Sequence, residues 1–446
     1  PALVINGDFI DFLAERPARH FDAQGAVAKL RRIAGDAAFS PVFAALRRFL
    51  GAPGHRLAVV LGNHDLELAL PWVRQELQQM LCDDEAAAGR LVWALDGQGV
   101  LLRIGDASGP RVLCVHGNEV DAWNAVDHEA LRRLGREGLR GWTSDEVYRP
   151  NAGSRMVIEV MNDIKHRFPF VDLLKPETAA VIPTLLALDP GAAAALLALP
   201  PVVAQRQLTE LRMAAGLLGE AIPPEPGMPQ APRASGVGGV VSKAQRQAAR
   251  RQASMQLLDI AETDLQTGRA AADLLDAAAR TDTLGWGSAA WTLITGGDKV
   301  DALRAQLKEL AQDRSFLLVD PDETYTKMHE RVSTNIDYLV TGHTHLARAI
   351  EREPRRAFYF NTGTWARVVS IAPETLEDGA AFRLLFEALA SGSIEALDNA
   401  PGLVPVRPHV AAFWHDAAGT HGELRQVDAA APYRAVPVIG SRFSRS

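Results

Sequence analysis

Apolar residues enter this chain in short runs, and at first each run is followed by a stretch with helical spacing. Ala2–Ile5 and Leu57–Leu61 read as strands, whereas the spacing over Ala26–Leu50 and Glu67–Met80 predicts helices. Val100–Ile104 and Arg111–Val115 follow as two closely spaced strands. From about Asn124 to Phe316 the alternation disappears. Alanine, leucine, arginine and glutamine dominate there, and Met156–His166 and Ala244–Ala279 read as helices. A Pro/Gly-rich passage near 222–240 separates them and reads as a linker. After Phe316 the first pattern returns, with a helix over Asp322–Val332 and strands at Asp337–Val340, Ala357–Phe360 and Val410–Trp414.

Strands alternating with helices predict an α/β fold with a largely parallel sheet covered by helices. The economical division is one α/β domain in two parts, 1–123 and 318–446, split by a mainly helical insertion or cap over 124–317. That insertion, roughly 190 residues, has the size of an ordinary domain. No internal repeat is present. The longest apolar stretch, Ala179 to Ala204, is interrupted by Pro183, Asp189-Pro190-Gly191 and Pro200-Pro201. It falls short of the roughly 18 unbroken apolar residues that a membrane helix needs, so no transmembrane segment is expected.

Composition narrows the classes of chemistry. Apolar residues at 47% and charged residues at 23% exclude disorder of the chain as a whole. A formal charge of -7, without interleaved aromatic and basic residues, argues against nucleic acid as a partner. Cys82 and Cys114 are the only cysteines, too few for a disulfide framework or a thiolate zinc site. The expected compartment is the cytoplasm, and any metal chemistry falls to oxygen and nitrogen ligands.

Four polar clusters each follow directly on an apolar run. Ala2-Leu3-Val4-Ile5 leads into Asn6-Gly7-Asp8-Phe9-Ile10-Asp11, and Ala58-Val59-Val60-Leu61 into Gly62-Asn63-His64-Asp65. Leu113-Cys114-Val115 leads into His116-Gly117-Asn118, and Tyr338-Leu339-Val340 into Thr341-Gly342-His343-Thr344-His345. In open α/β sheets the loops beyond the carboxyl ends of strands converge on one crevice, where ligands collect. Carboxylate, carboxamide oxygen and imidazole together suit Zn, Mn or Fe, and are too rich in nitrogen for a dedicated Ca or Mg cage. Taken singly, Gly7-Asp8 reads as a turn, Asn63-His64-Asp65 as the cap of a helix, and His116 as a hydrogen-bonded strand-end histidine. All four in order point to a metal site. Asp121 and Asn124, just beyond His116, read equally as crevice residues or as a turn.

In that order the motifs G-D-x-x-D (Gly7 to Asp11), G-N-H-D (Gly62 to Asp65), H-G (His116-Gly117) and G-H-T-H (Gly342 to His345) resemble those of the calcineurin-like metallophosphoesterases. Asn361-Thr362-Gly363-Thr364-Trp365 is similar to the strand-end turn that follows the last motif there. The resemblance covers about 1–123 and 318–446. It implies a layered β-sandwich flanked by helices, and a dinuclear centre of two divalent transition metals (Mn, Fe or Zn) that hydrolyses phosphoesters with a hydroxide made at the metals. By the same resemblance Asp8 bridges both metals, Asn63, His116 and His343 complete one shell, and His345 binds the other metal. His64 matches the acid that protonates the leaving oxygen, with Asp65 holding its imidazole, and Asp11 braces the Asp8 loop.

The family's opening Asp-x-His motif has no counterpart in the seven residues before Asp8. The expectation is a chain that starts mid-domain, binds one metal well and hydrolyses phosphoesters poorly. The expected substrate is a small phosphoester or a lipid-like molecule, the latter because apolar stretches surround Leu185 and Leu196 in a segment placed to cover the crevice. Arg155 and Lys165, near the start of that segment, either reach a substrate phosphate or line a solvated helix face. A hydrolase of lipid-linked or nucleotide pyrophosphates and a non-catalytic scaffold of the same fold are the alternatives.

Overall fold

The computed structural model describes residues 1–142, 148–174, 184–185, 187–189, 298–311, 317–354, 356–366, 368–428, 430–431 and 434–445. The first apolar runs form a parallel three-stranded sheet of β1 (Ala2–Asn6), β2 (Arg56–Val60) and β3 (Leu91–Ala94), in that order. In register, Val4 faces Ala58 and Leu57 faces Leu91. β2 is buried from Leu57 to Val60, as its unbroken apolar run requires of a strand covered on both sides.

The stretch expected as one helix over 26–50 is two, α1 (Ala26–Gly35) and α2 (Ser40–Gly51). Gly35 and Asp36 end the first, where the Asp36 carboxylate captures the backbone N–H of Ala38 instead. Pro41 stands in the first turn of α2, where no partner for its nitrogen is needed. Similarly the helix expected from Glu67 begins at Pro71 as α3 (Pro71–Leu81), after a 3-10 turn over Leu66–Ala69. Leu30, Leu46, Leu50, Leu57, Val73 and Leu77 belong to one core. Helix His128–Leu139 adds Leu131 and Leu134 to that same core.

The second sheet is mixed. β4 (Val100–Arg103), β5 (Arg111–Cys114), β6 (Tyr338–Thr341), β7 (Ala347–Arg352) and β8 (Ala357–Thr362) lie in the order β4-β5-β6-β8-β7. β5, β6 and β8 run parallel, and both edge strands are antiparallel. One parallel sheet and one mixed sheet thus replace the single, largely parallel sheet expected. β5 and β6 are far apart in sequence, yet Val112 pairs with Tyr338 and Cys114 with Val340. Asn6 ties the two sheets together, since its side-chain amide donates to the carbonyls of Val115 (2.8 Å) and Val340 (3.3 Å).

Two further strand groups lie in the C-terminal part: β9 (Val368–Ile371) with β10 (Leu403–Val406), and β11 (His409–Asp416) with β12 (Gly419–Val427), β13 (Ala435–Pro437) and β14 (Phe443–Arg445). Residues of 161–187 and of helix Lys299–Ala311 share a core with Val369, Phe382 and Leu385. Helical structure continues over 152–167, with one π turn at Val157–Met161 where an uninterrupted α-helix was expected over Met156–His166. The helix read over 244–279, the linker near 222–240 and Leu196 lie outside the described residues. Among those described, no helix is long and apolar enough to cross a membrane.

Candidate metal centre

β1 ends at Asn6, and the chain then turns through Gly7 (φ 86°) and Asp8 (φ 52°). A Cβ on Gly7 would stand 2.1 Å from Nδ1 of His116, and one on Gly62 would stand 2.1 Å from Oδ1 of Asp8. Both glycines are therefore required for the loops to approach this closely. Among the described residues, the non-glycine residues with positive φ are Asp8, His343 (65°) and His345 (62°). Such backbone costs a side-chain-bearing residue on the order of 1–3 kcal/mol and persists only where surrounding structure enforces it. All three positions lie in the polar clusters that follow β1 and β6.

Asp8 is gripped from two sides. Its Oδ1 accepts the backbone N–H of His64 at 2.9 Å, and its Oδ2 lies 3.0 Å from Nε2 of His116. The other ring nitrogen of His116, Nδ1, donates to the carbonyl of Asn6 at 2.7 Å. With its Nδ1 proton committed there, the ring presents Nε2 to the Asp8 carboxylate. A second proton on Nε2 or a shared cation satisfies that contact, and a cation displaces the proton.

His343 approaches from the end of β6. Its Nε2 bonds Oδ2 of Asp121 at 2.8 Å, leaving Nδ1 to carry a lone pair. Asp121 Oδ2 also accepts from Nδ2 of Asn124 (2.7 Å), and Oδ1 of Asn124 accepts from Nδ2 of Asn63 (3.3 Å). This chain orients the Asn63 amide so that its carbonyl oxygen is buried without a hydrogen-bond partner. A buried acceptor left so costs on the order of 1–3 kcal/mol, which a bound cation removes. Ligand atoms of Asp8, His116 and His343 lie within 4.8 Å of one another. Orphaned amide oxygen, glycine cradles and mixed oxygen–nitrogen donors all fit a divalent transition ion. His345 lies outside that group of three.

The two aspartates next to His64 have exchanged the roles expected of them. Both oxygens of the fully buried Asp65 are taken by backbone N–H groups, Oδ1 by Gly62 (2.7 Å) and Oδ2 by Phe9 (2.8 Å). Asp65 therefore braces the Asp8 turn, with each oxygen directed at a backbone amide and neither at the imidazole. Nδ1 of His64 instead meets Oδ1 of Asp11 at 3.2 Å. Burial works against ionisation of Asp8, but the imidazoles of His116 and His64 outweigh it and hold the carboxyl well below the usual range. Burial likewise opposes a charged His64, yet Asp8 and Asp11 push it up to about 9. Burial followed by the charge of Asp8 pushes Asp65 up to about 7.

The remaining support comes from residues to which the motifs assign no role at the metal. Asn361, fully buried, donates through Nδ2 to the carbonyl of Gly342 (2.7 Å) and to Oγ1 of Thr344 (2.9 Å), fixing the turn that carries His343. Asn6, Asp121 and Asn124 hold His116, His343 and Asn63; Asn6 is the last residue of β1, and Asp121 and Asn124 lie in the stretch that follows β5. Lys165 carries its charge close enough to bear on both Asp11 and His64. His166 bonds Arg16 at 2.8 Å, so the helix Asn162–Arg167 lies against the loop that follows Asp11. Leu185 is buried in the core with Phe170, Leu303 and Leu385, so it packs the protein's own interior instead of offering a lipid surface.

Comparison of the chain with protein-family models, with curated proteins and with solved structures gives no match.

Proposed function

We propose that this chain is a metal-dependent phosphoester hydrolase of the calcineurin-like type, in which the two sheets joined at Asn6 form the layered sandwich of that family. The observation that carries the reading is the convergence of Asp8, His116 and His343 beside the orphaned oxygen of Asn63. These four residues would hold one Mn, Fe or Zn ion, and His345 with Asp8 would serve a second. A bound metal supplies Lewis acidity toward a phosphoryl oxygen.

The chain's own groups do the rest. His64, held through Nδ1 by Asp11, keeps Nε2 for delivering a proton to the departing oxygen. Asp65 keeps the Gly62 turn and the Phe9 amide in place, and so fixes where Asp8 points. Asp121 and Asn124 set the tautomer of His343 and the orientation of the Asn63 amide. Lys165 adds a positive charge near the crevice that would draw in a phosphate.

The test is hydrolysis of phosphomonoester, phosphodiester and pyrophosphate substrates with Mn, Fe or Zn, comparing the wild-type chain with Asp8→Asn and His64→Asn. Asp8→Asn should lose both metal and turnover. His64→Asn should keep its metal while turnover falls about 10²–10⁴-fold. Metal-loaded wild type no faster than Asp8→Asn on every substrate would refute the proposal.

A further inference from the structure

The helical stretch over 152–167 lies between β5 and β6 in the chain, and its first turn comes back against the loop that supports the metal centre. Asn151 caps this turn, its Oδ1 accepting the backbone N–H of Ser154 at 2.7 Å. Gly153 then donates its backbone N–H to the carbonyl of Trp123 at 2.7 Å. Residues 151–154 are all buried. Gly153 lies in the helix and outside the left-handed region, so its backbone makes no demand for glycine. In a helix glycine is less favourable than alanine by on the order of 1 kcal/mol. What alanine would lack here is space: a Cβ on Gly153 would stand 2.2 Å from Oδ1 of Asn124 and 3.1 Å from its Cγ.

The same Oδ1 of Asn124 accepts from Nδ2 of Asn63 at 3.3 Å, and Nδ2 of Asn124 donates to Asp121, the partner of His343, at 2.7 Å. Asn124 therefore has Gly153 on one side and, on the other, the residues that aim two of the donors. We infer that Gly153 is a positioning residue of the proposed metal centre: the helical turn closes on Asn124 without a side chain, fixes its amide, and through Asn63 sets the affinity for the ion. The inference rests on the metal reading above. A methyl group at 153 would also stand 3.1 Å from the Trp123 carbonyl, but that oxygen is backbone and held by the Gly153 N–H. The Asn124 side chain is what gives way, at little cost to the fold, and its bonds to Asn63 and Asp121 break with it.

Gly153→Ala in the full chain tests this. Its affinity for Mn, measured by competition with a chelating dye, should fall about 10–100-fold, as for loss of other groups that orient a ligand. Its melting curve in EDTA should stay close to that of wild type. Asn124→Ala removes the obstructing amide, so Gly153→Ala added to it should weaken Mn binding no further than Asn124→Ala alone. A readout without metal separates this inference from the metal reading: in EDTA, the side-chain amide NMR signals of Asn63 and Asn124 should shift in Gly153→Ala. Mn binding by Gly153→Ala equal to wild type, additive losses in the double variant, or a loss of stability in EDTA that Asn124→Ala does not relieve would each overturn the inference. Wild type that takes up no Mn would refute the metal centre itself, and unmoved Asn63 and Asn124 signals would then still show that Gly153 does not act on Asn124.

Discussion

Which carboxylate serves His64 is decided by where each one points. Asp65 is adjacent in sequence, but its oxygens are turned to the amides of Gly62 and Phe9. Asp11 is half-exposed and gives its Oδ1 to the ring as well as to the Leu13 and Ala14 amides. The two should separate experimentally. Asp11→Asn should reduce turnover about tenfold or more and move the acidic or basic limb of the pH profile, with thermal stability nearly unchanged. Asp65→Ala should instead destabilise the protein by about 2–4 kcal/mol in chemical denaturation, since it strands two buried amides. Asp121→Ala is expected to lower metal affinity about 10–100-fold, measured by competition with a chelating dye, because His343 loses the bond that sets its tautomer. The residue types for a metal site stand in the sequence at Asp8, Asn63, His116 and His343. Of their supporting partners, Asp121 and Asn124 read equally as crevice residues or as a turn, because a bond such as Asn63–Asn124 depends on loop geometry that no local pattern encodes.

Loops, more than strands, determine whether the centre exists. Gly7 sits at φ 86° with His116 where its Cβ would go, so Gly7→Ala should cost at least about 2 kcal/mol and abolish metal uptake together. Beneath the loops after β1 and β2 lies a buried charged group of Lys29, Asp22 and Glu67. Lys29 approaches the carbonyl of Phe12 (3.4 Å) and Oδ2 of Asp22 (3.5 Å), and Glu67 accepts the Asp22 amide (2.9 Å). Burial pushes Glu67 up from 4.5 to about 7. The folded protein therefore keeps a proton up to about pH 7 that the unfolded chain releases near 4.5, and stability falls as pH rises through that window. Above it the loss is constant and on the order of 3 kcal/mol. Glu67→Gln should remove this slope and be more stable than wild type at pH 8, as read from denaturation midpoints at several pH values. Strand existence was legible where apolar runs were short and bounded, as at Leu57–Leu61 and Asp337–Val340. Helix boundaries were less so: one amphipathic pattern spans both α1 and α2, and Gly35, the Asp36 side chain bonding its own loop, and Pro41 separate them.

Across the whole molecule the centre joins distant parts of the chain. Asp8 and Asn63 come with the parallel sheet, His116 and His343 with the mixed one, and β5 pairs with β6 across the intervening segment. That the later strands return to the earlier ones was suggested by four clusters each following an apolar run. The mixed character of the second sheet was not read, although the short connections from β4 to β5 and from β7 to β8 leave no room for a parallel crossover. Metal should stabilise the fold as a unit: at a free concentration 100-fold above its dissociation constant it should add about 2.7 kcal/mol. Melting with Mn and with EDTA should show one transition displaced, with no separate early melting of either sheet. The most direct measurement is anomalous diffraction from crystals grown with Mn. An ion should appear about 2.0–2.3 Å from Asp8, Asn63, His116 and His343, and should be lost in Asp8→Asn. Mn found only elsewhere on the protein, or at these four residues equally well in Asp8→Asn, would contradict a metal centre built on them.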